Sequence, residues 1–301
     1  MEEKYNNILN SRLIQNKSYI EKELKKILSD IVAPKLLKEV MLYAVLNGGK
    51  RIRPFIISEV SSLYQVKSTI YKYPSIAIEM AHCFSLIYDD LPCMDDDDLR
   101  RGNPSVHVKF DEANALLGGA SLLTYAYNIL ASKNFSIEDK KKIALINIFS
   151  NAIGHKGMLA GQFLDLEAEK LSKKPTIKKF NNIQEKKTSL LLAFCTRTAG
   201  ILGGANTKEQ EDLYEIGLLI GRIFQTKDDI LDLEGTEKEM GKRVNKDQAK
   251  NKATIIRLKD INYAKTQLKN LCFKTKERLK GINKNTTTLI ELIDFLNYRK
   301  N

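Results

Sequence analysis

Residues 79–102 read EMAHCFSLIYDDLPCMDDDDLRRG, an apolar run that leads at Asp89 directly into a dense group of aspartates. A second acidic group, Asp228-Asp229-Ile230-Leu231-Asp232, also continues from apolar sequence. Asp228 and Asp232 are four residues apart and therefore share one face of a helix. Two carboxylates about 4 Å apart repel by roughly 4 kcal/mol at an effective dielectric constant of 20. Carboxylates gathered in a cavity therefore need cations.

The chemistry of these side chains limits which cation they would hold. Carboxylates without cysteine or several histidines beside them are hard oxygen ligands, which favours Mg²⁺, Mn²⁺ or Ca²⁺. Mg²⁺ is usually held by a few carboxylates while substrate phosphates complete its shell. The two groups thus predict a carboxylate–metal–phosphate site, whereas Asp96 to Asp98, at the end of the first run, are interpreted as a solvated surface group.

Basic residues that could hold an anion accompany the acidic groups. The segment GGKRIRP at 48–54 places three cations after two glycines, and Arg100-Arg101 follow the first acidic run. Lys187-Thr188 and Gly241-Lys242 are weaker signals, which alone would indicate surface residues. Neither a GxxxxGK[ST] loop nor a GxGxxG fingerprint occurs, so nucleotide binding has no motif.

Length and composition are typical of a globular protein. The 301 residues are 43% hydrophobic and 29% charged, and no apolar run approaches the roughly 18 residues that cross a bilayer. The first residues lack the apolar segment of a secretory signal, and the four cysteines are scattered, which favours reduced thiols in the cytoplasm. The net charge of +12 could indicate nucleic-acid binding, but the lysines are spread over mixed polar faces, which we interpret as solvated surface.

Proline placement predicts an all-α fold. Every proline lies at or before Pro175, and the rest of the chain is rich in Leu, Ile, Lys and Glu, as in long helices. Alternating β-branched runs are scarce, so strands are not expected. The pattern predicts a single domain over 1–301, a bundle of ten or more helices. The predicted helices cover 3–29, 34–46, 52–64, 75–90, 110–132, 137–152, 155–170, 176–202, 208–233, 254–280 and 286–299.

Three of these helices carry small and polar residues along one face. In 208–233 that face holds Gly217, Gly221, Gln225, Asp228 and Asp232, at about 100° per residue. Glycine costs a helix about 1 kcal/mol relative to alanine, so repeated glycines need a reason. Close helix packing is one reason, but glycines that lead into aspartates favour a polar cavity lined by helices.

The motifs together resemble the trans-type (E)-prenyl diphosphate synthases, most of all the bacterial farnesyl diphosphate synthases. The resemblance spans nearly the whole chain and is specific, because two Asp-rich motifs occur in the family order. Three positions depart from the family pattern: Ala120, Thr226 and Asp260. The matching blocks are GGKRIRP at 48–54, EMAHCFSLIYDDLPCMDDDDLRRG at 79–102, HVKFDEANALL at 107–117, GQFLDL at 161–166, KT at 187–188, FQTKDDILDLEG at 224–235, GKR at 241–243 and NKAT at 251–254.

The resemblance implies an all-α isoprenoid-synthase bundle around a central cavity, assembled as a homodimer, with three Mg²⁺ ions per site or Mn²⁺ in their place. It implies catalytic roles for Lys187, Thr188 and Gln225, and places Arg51 outside the site. The implied metal-site residues are Asp89, Asp90, Asp95, Asp165, Asp228, Asp229 and Asp232. The implied residues for the allylic diphosphate are Arg100, Lys187, Thr188, Gln225, Lys242 and Lys252. The implied residues for isopentenyl diphosphate are Lys50, Arg53, His82 and Arg101.

Product length is expected to depend on Phe84 and Ser85, which precede Asp89 on the same helix. Phe84 lies about 7.5 Å below Asp89 at 1.5 Å per residue. An aromatic ring at this position, with four residues between Asp90 and Asp95, is typical of bacterial farnesyl synthases and implies a C15 product. An ordinary core role for Phe84 is the alternative.

Four other functions share part of this pattern. A geranylgeranyl diphosphate synthase of the same family would have the same motifs, and a terpene cyclase would share the acidic ones. The GGKRIRP block disfavours a cyclase, because it serves a second diphosphate. A basic nucleic-acid-binding protein leaves the acidic groups unexplained, and a non-catalytic synthase subunit is disfavoured because both acidic motifs are intact.

Overall fold

The computed structural model describes residues 2–170, 175–234 and 254–299, and these confirm the all-α prediction. In the amino-terminal half the helices are α1 Glu2–Asp30, α2 Lys35–Leu46, α3 Ile52–Leu63, α4 Ser68–Asp89, α5 Val106–Phe110 and α6 Glu112–Ala131. The remaining helices are α7 Asp139–Ile153, α8 Met158–Glu169, α9 Ile177–Gln184, α10 Leu190–Leu202, α11 Thr207–Glu234, α12 Ile255–Leu258, α13 Ile261–Lys280 and α14 Thr287–Tyr298. A π-helical turn, Glu185–Ser189, joins α9 to α10.

Four of the predicted helices differ most clearly from their expected bounds, and one of them, 176–202, is divided by the π-helical turn. Helix α4 begins seven residues earlier than expected and contains Pro74 near its start. The helix predicted over 110–132 is interrupted at Asp111, whose positive φ of 87° ends α5 and whose carboxylate caps α6 by accepting from Asn114 N. The helix predicted over 254–280 is interrupted where Asp260 caps α13 by accepting from Tyr263 N at 2.8 Å. The departure from the family pattern at Asp260 thus has a local structural role.

A small strand pair was not predicted. Strands β1 Leu99–Arg100 and β2 Asn103–Pro104 are antiparallel, with Arg100 opposite Asn103. The pair closes a turn directly after the first acidic group, where Arg101 and Gly102 both have positive φ. It therefore holds Arg100 and Arg101 close to the end of α4.

The helices pack around a continuous apolar core that extends from Leu9 in α1 to Leu296 in α14. Helix α4 runs through this core, with Ile76, Ala77 and Ile78 fully buried. Helices α4 and α6 pack together, as do α10 and α11. Among the described helices, none is long and apolar enough to cross a membrane.

Glycines in α11 serve close helix packing. A Cβ on Gly221 would lie 2.3 Å from the Cα of Ser189, and one on Gly217 would lie 2.4 Å from the Cα of Ala193. Both distances are far inside van der Waals contact, so larger residues would force α11 away from α10. The expectation that the glycine part of this face lines a polar cavity is therefore wrong. The polar part of the same face, from Gln225 onward, does reach the candidate site.

Candidate active site

The first acidic group forms one wall of the site, at the carboxyl end of α4. Asp90 is buried and its carboxylate accepts from Arg100, with Nε to Oδ1 at 3.0 Å. Asp97 is also buried and lies 3.6 Å from Arg100, so interpreting it as a solvated surface residue is wrong. Asp96 and Asp98 are exposed, as expected. Arg100 thus ties the loop after α4 to the helix end.

A lysine on the π-helical turn forms the opposite wall. Lys187 Nζ lies 2.6 Å from Asp165 Oδ2 of α8. Burial by itself lowers the pKa of Lys187, but the charges of Asp165 and then Asp89 outweigh it and raise that pKa above its ordinary value. A Cβ at Gly161 would lie 2.2 Å from Lys187 N, so only glycine lets α8 approach the turn. The π-helical turn therefore directs a permanently charged lysine toward both acidic segments.

Beside Lys187, a chain of hydrogen bonds links three predicted residues. Thr188 Oγ1 donates to Gln225 Oε1 at 3.1 Å, and Gln225 Nε2 donates to Asp229 Oδ1 at 3.0 Å. The other oxygen of Asp229 accepts from Ile255 N at 2.9 Å. Asp229 therefore orients Gln225 and fixes the start of α12, and both its oxygens are engaged in this arrangement. Thr226, another departure from the family pattern, follows Gln225 on α11.

Arg299 is a site residue that the sequence reasoning missed. Its Nη2 donates to Asp228 and, at 3.2 Å, to the carbonyl oxygen of Phe224, and its guanidinium lies 4.3 Å from the Phe224 ring centroid. Its side chain is 7% exposed. Nothing in the short segment Tyr298-Arg299 gave a signal, because a basic residue after the final helix is usually solvated.

The charges of four arginines, Arg53, Arg101, Arg51 and Arg100, act on His82 of α4. Burial, then Arg53 and Arg101, lower the pKa of His82 well below its ordinary value, so the imidazole is neutral at pH 7. It can therefore exchange hydrogen bonds with an anion but adds no charge. Arg53 Nε is buried without a hydrogen-bond partner among the described residues. Arg101 donates to the carbonyl of Gly48, which joins this group to the glycine loop.

Lys50 lies apart from that cluster, between α14 and α11. Its Nζ is 5.6 Å from the ring centroid of Phe295. Although Lys50 as a whole is exposed, the protein atoms around its amine reduce its solvation; this effect, and then the positive charge of Arg299, lower the pKa of Lys50 to about 8, against an opposing effect of Asp228. The side chain is thus charged at pH 7 and loses its proton more easily than an ordinary lysine.

This pKa predicts an alkaline limit on use of an anionic substrate at Lys50. We expect kcat/KM for that substrate to fall as pH rises through about 8, because the cation is lost. In Lys50→Arg the decline is expected to move to higher pH, since arginine stays charged. Steady-state rates between pH 6.5 and 9.5 measure both profiles, and identical profiles would exclude Lys50 as the titrating group.

The structure brings most of the predicted residues together. Lys187 interacts electrostatically with Asp89, Asp95 and Asp165, which lie on α8 and at the end of α4. No three His, Cys, Asp or Glu side chains within the described ranges form a ready-made metal cage. The donors are nevertheless hard oxygens, and Lys187 at Asp165 and Arg299 at Asp228 occupy cation positions. The set therefore fits Mg²⁺ that shares its shell with phosphate oxygens. Lys242 and Lys252 lie outside the described residues.

Comparison with known proteins agrees with this geometry. The sequence model of the family described as Polyprenyl synthetase matches residues 34–289. The chain belongs to this family. Its members act as prenyl-transferring enzymes, and farnesyl diphosphate synthase of Bacillus subtilis (strain 168) is 39% identical over 96% of this chain and 98% of its own length.

Solved structures of the polyprenyl synthetase fold superpose over almost the entire chain. An FPP/GFPP synthase from Zymomonas mobilis, in its apo form, has a TM-score of 0.86 and 30% identity, covering 96% of this chain and 98% of that one. A geranyltransferase from Helicobacter pylori, complexed with magnesium and isoprenyl diphosphate, has a TM-score of 0.81 and 30% identity, covering 95% of both chains. The all-α isoprenoid-synthase architecture is thereby confirmed.

Proposed function

We propose that this polyprenyl synthetase joins an allylic diphosphate, dimethylallyl or geranyl, to isopentenyl diphosphate and forms (2E,6E)-farnesyl diphosphate. One observation carries the proposal: the site has two separate cationic regions. Lys187 faces the carboxylates of Asp89 and Asp165, whereas a cluster of arginines surrounds His82. Two diphosphates of different chemistry need two such regions, and only the first needs metal ligands beside it.

The residues that would hold magnesium are carboxylates on both walls. Asp89, the last residue of α4, and Asp95, in the loop after it, would bind it from one wall. Asp228 and Asp232 would bind it from α11, with Asp165 joining from α8. Asp90 and Asp229, being engaged with Arg100 and Gln225, would support the others. When bound, the ions supply Lewis-acid stabilisation to the departing diphosphate. We propose that each site binds three Mg²⁺ ions and that Mn²⁺ can replace them.

The chain's own residues would direct the reaction as follows. Lys187, together with Arg100, holds the allylic diphosphate while its C1–O bond breaks and the electron pair leaves with the diphosphate. Thr188 and Gln225, held by Asp229, lie beside the resulting allylic cation and stabilise it through their oxygens. The double bond of isopentenyl diphosphate, held by Lys50, Arg53, His82 and Arg101, attacks the cation. A proton then passes to the released diphosphate, so no side chain acts as a strong base.

The direct test is product analysis. The purified enzyme is incubated with Mg²⁺, labelled isopentenyl diphosphate and either dimethylallyl or geranyl diphosphate, and dephosphorylated products are separated by chain length. We expect a C15 alcohol from both starters. Turnover of an allylic diphosphate alone would indicate a cyclase, and a C20 majority would indicate the alternative function, a geranylgeranyl diphosphate synthase.

We propose that Phe84 ends the cavity and so sets product length. The ring is 4% exposed, packs 4.5 Å from the ring of Tyr88, and faces α6 near Gly119. We expect Phe84→Ala to open space for another isoprene unit and shift the main product from C15 to C20, with a stability loss of about 3–5 kcal/mol. Ser85→Phe adds a ring one residue nearer to Asp89 and is expected to shorten the product. Chromatography of the dephosphorylated products measures both shifts.

A matched control separates the cavity floor from general core packing. Phe135 is fully buried and stacks on Tyr73, at the opposite end of α4 from Asp89. Phe135→Ala should therefore lower the thermal midpoint, as Phe84→Ala does, and leave the product at C15. An active Phe84→Ala enzyme that still makes C15 would show that the ring is ordinary core.

We also propose a homodimer assembled through α6, and a cytoplasmic location. Leu116 and Leu117 are 42% and 62% exposed, and Ala113 and Ala120 extend the same apolar face along the helix. Such a contiguous exposed face is typical of an interface. All four cysteines are free, as suits a reducing compartment. Sedimentation velocity of the wild type and of Leu117→Glu tests the assembly, since a charge on this face should produce monomers.

A further inference from the structure

Arg51 is the most tightly held arginine beside the site, although it contacts neither acidic motif. It precedes α3 as its N-cap residue and has a φ of 53°, in the left-handed region that non-glycine residues rarely adopt. Its side chain is fully buried. One nitrogen donates to Glu79 of α4 at 2.9 Å, another to Glu21 of α1 at 3.2 Å, and the third to the carbonyl of Val45 in α2. One guanidinium therefore joins three helices at the start of a fourth.

The conformation of Arg51 has consequences for its neighbours. Because its backbone is left-handed, its side chain turns into the core, while Lys50 and Arg53 on either side are only partly buried or exposed. Those two residues are proposed to bind isopentenyl diphosphate. The acceptor Glu79 lies three residues before His82, on the same side of α4. The contacts of Arg51 thus connect the backbone between Lys50 and Arg53 with α4, the helix that carries His82.

We propose that Arg51 is the positioning residue of the isopentenyl diphosphate region: its ion pairs hold the left-handed backbone that orients Lys50 and Arg53 relative to His82. The inference rests on the proposed function, because it assigns that substrate to these three residues. Arg51 itself does not touch the substrate. Without the two ion pairs, an ordinary residue leaves the left-handed region, and the chain before and after it turns with it.

The experiment compares Arg51→Ala with Arg51→Gly. Both variants lose the guanidinium, but only glycine adopts positive φ without steric cost. We expect Arg51→Ala to raise KM for isopentenyl diphosphate about tenfold or more and to change KM for geranyl diphosphate less than about twofold. Arg51→Gly should show a clearly smaller rise. If Arg51→Ala does not fold, Glu79→Gln is the second variant, because glutamine removes the charge but keeps a hydrogen-bond acceptor for Arg51. It should raise KM for isopentenyl diphosphate selectively, by a smaller factor than Arg51→Ala.

Arg12 supplies the control. It pairs with buried Glu59 at 2.8 Å, and so also joins α1 to α3, about 12 Å further along α3. Arg12→Ala should lower the thermal midpoint and leave both KM values unchanged. The inference would be overturned by any of three results. Arg51→Ala could have the KM values of the wild type, it could raise KM equally for both substrates, or the alanine and glycine variants could show equal rises.

A separate measurement distinguishes this failure from failure of the proposed function. Lys50→Ala is expected to weaken isopentenyl diphosphate whatever Arg51 does. If Lys50→Ala raises that KM and Arg51→Ala does not, only the positioning role is wrong. If Lys50→Ala has no effect on that KM, the substrate assignment itself is wrong, and the inference fails with it.

Discussion

Replacing Asp89 or Asp228 by alanine is expected to lower kcat about a thousandfold or more, because each loss leaves leaving-group charge uncompensated in a water-poor site. The two residues lie on opposite walls, and neither is needed for the core. Wild-type activity should also vanish in excess chelator and return with Mg²⁺. Calorimetric titration with Mg²⁺ and inorganic diphosphate provides a second readout, in which both variants should bind more weakly than wild type.

Asp98 offers a matched control for these substitutions. It belongs to the same acidic run as Asp89 but is exposed. Asp98→Ala should therefore keep kcat within about threefold of wild type, as expected for a surface substitution away from the substrate. Full activity of the wild type in chelator, or equal losses in Asp98→Ala and Asp89→Ala, would argue against metal binding by the motif.

Lys187→Ala is expected to reduce kcat about a hundredfold or more, and to impair geranyl diphosphate more than isopentenyl diphosphate. The reason is its position: its charge lies among Asp165, Asp89 and Asp95, where the allylic diphosphate would depart. Lys50→Ala and Arg53→Ala should show the converse, a higher KM for isopentenyl diphosphate at nearly unchanged KM for the allylic substrate. Initial-rate measurements with each substrate varied in turn give both constants.

The neighbouring Lys186 controls for loss of a lysine from the π-helical turn. Its Nζ donates to the carbonyl of Lys156 at 2.9 Å and has no carboxylate partner among the described residues. Lys186→Ala is expected to remain close to wild type in both constants. Should Lys187, Lys50 and Arg53 variants affect the two substrates equally, the division into two diphosphate regions would be wrong.

Ion pairs within the site have a further consequence for substrate binding. Asp165 is paired with Lys187, and Asp228 with Arg299, so these carboxylates are already neutralised by basic side chains. A carboxylate that binds Mg²⁺ exchanges such a partner for the ion, while the lysine or arginine becomes available to phosphate oxygens. Metal and diphosphate binding are therefore expected to support one another.

The sequence by itself determined the helical class, the two acidic groups and the residues in them. These are local properties. A proline-free apolar and charged pattern favours helix wherever it lies, and Asp89 and Asp90 lie at the carboxyl end of α4 in any arrangement of the bundle. The resemblance also places Arg51 outside the site, and the structure shows its guanidinium engaged with Glu79 and Glu21 in the core.

Tertiary structure alone decided which charges meet. Arg299 pairs with Asp228 across 71 residues, and Thr188 bonds Gln225 across 37, distances over which helical periodicity carries no information. Tertiary packing also decided the position of Asp97. Its place in an acidic run predicts a solvated side chain, but packing buries it beside Arg100. The glycines of α11 give the physical reason. The sequence shows that Gly217 and Gly221 have no side chain, but only the packed structure shows that the backbone of Ala193 and Ser189 fills the space.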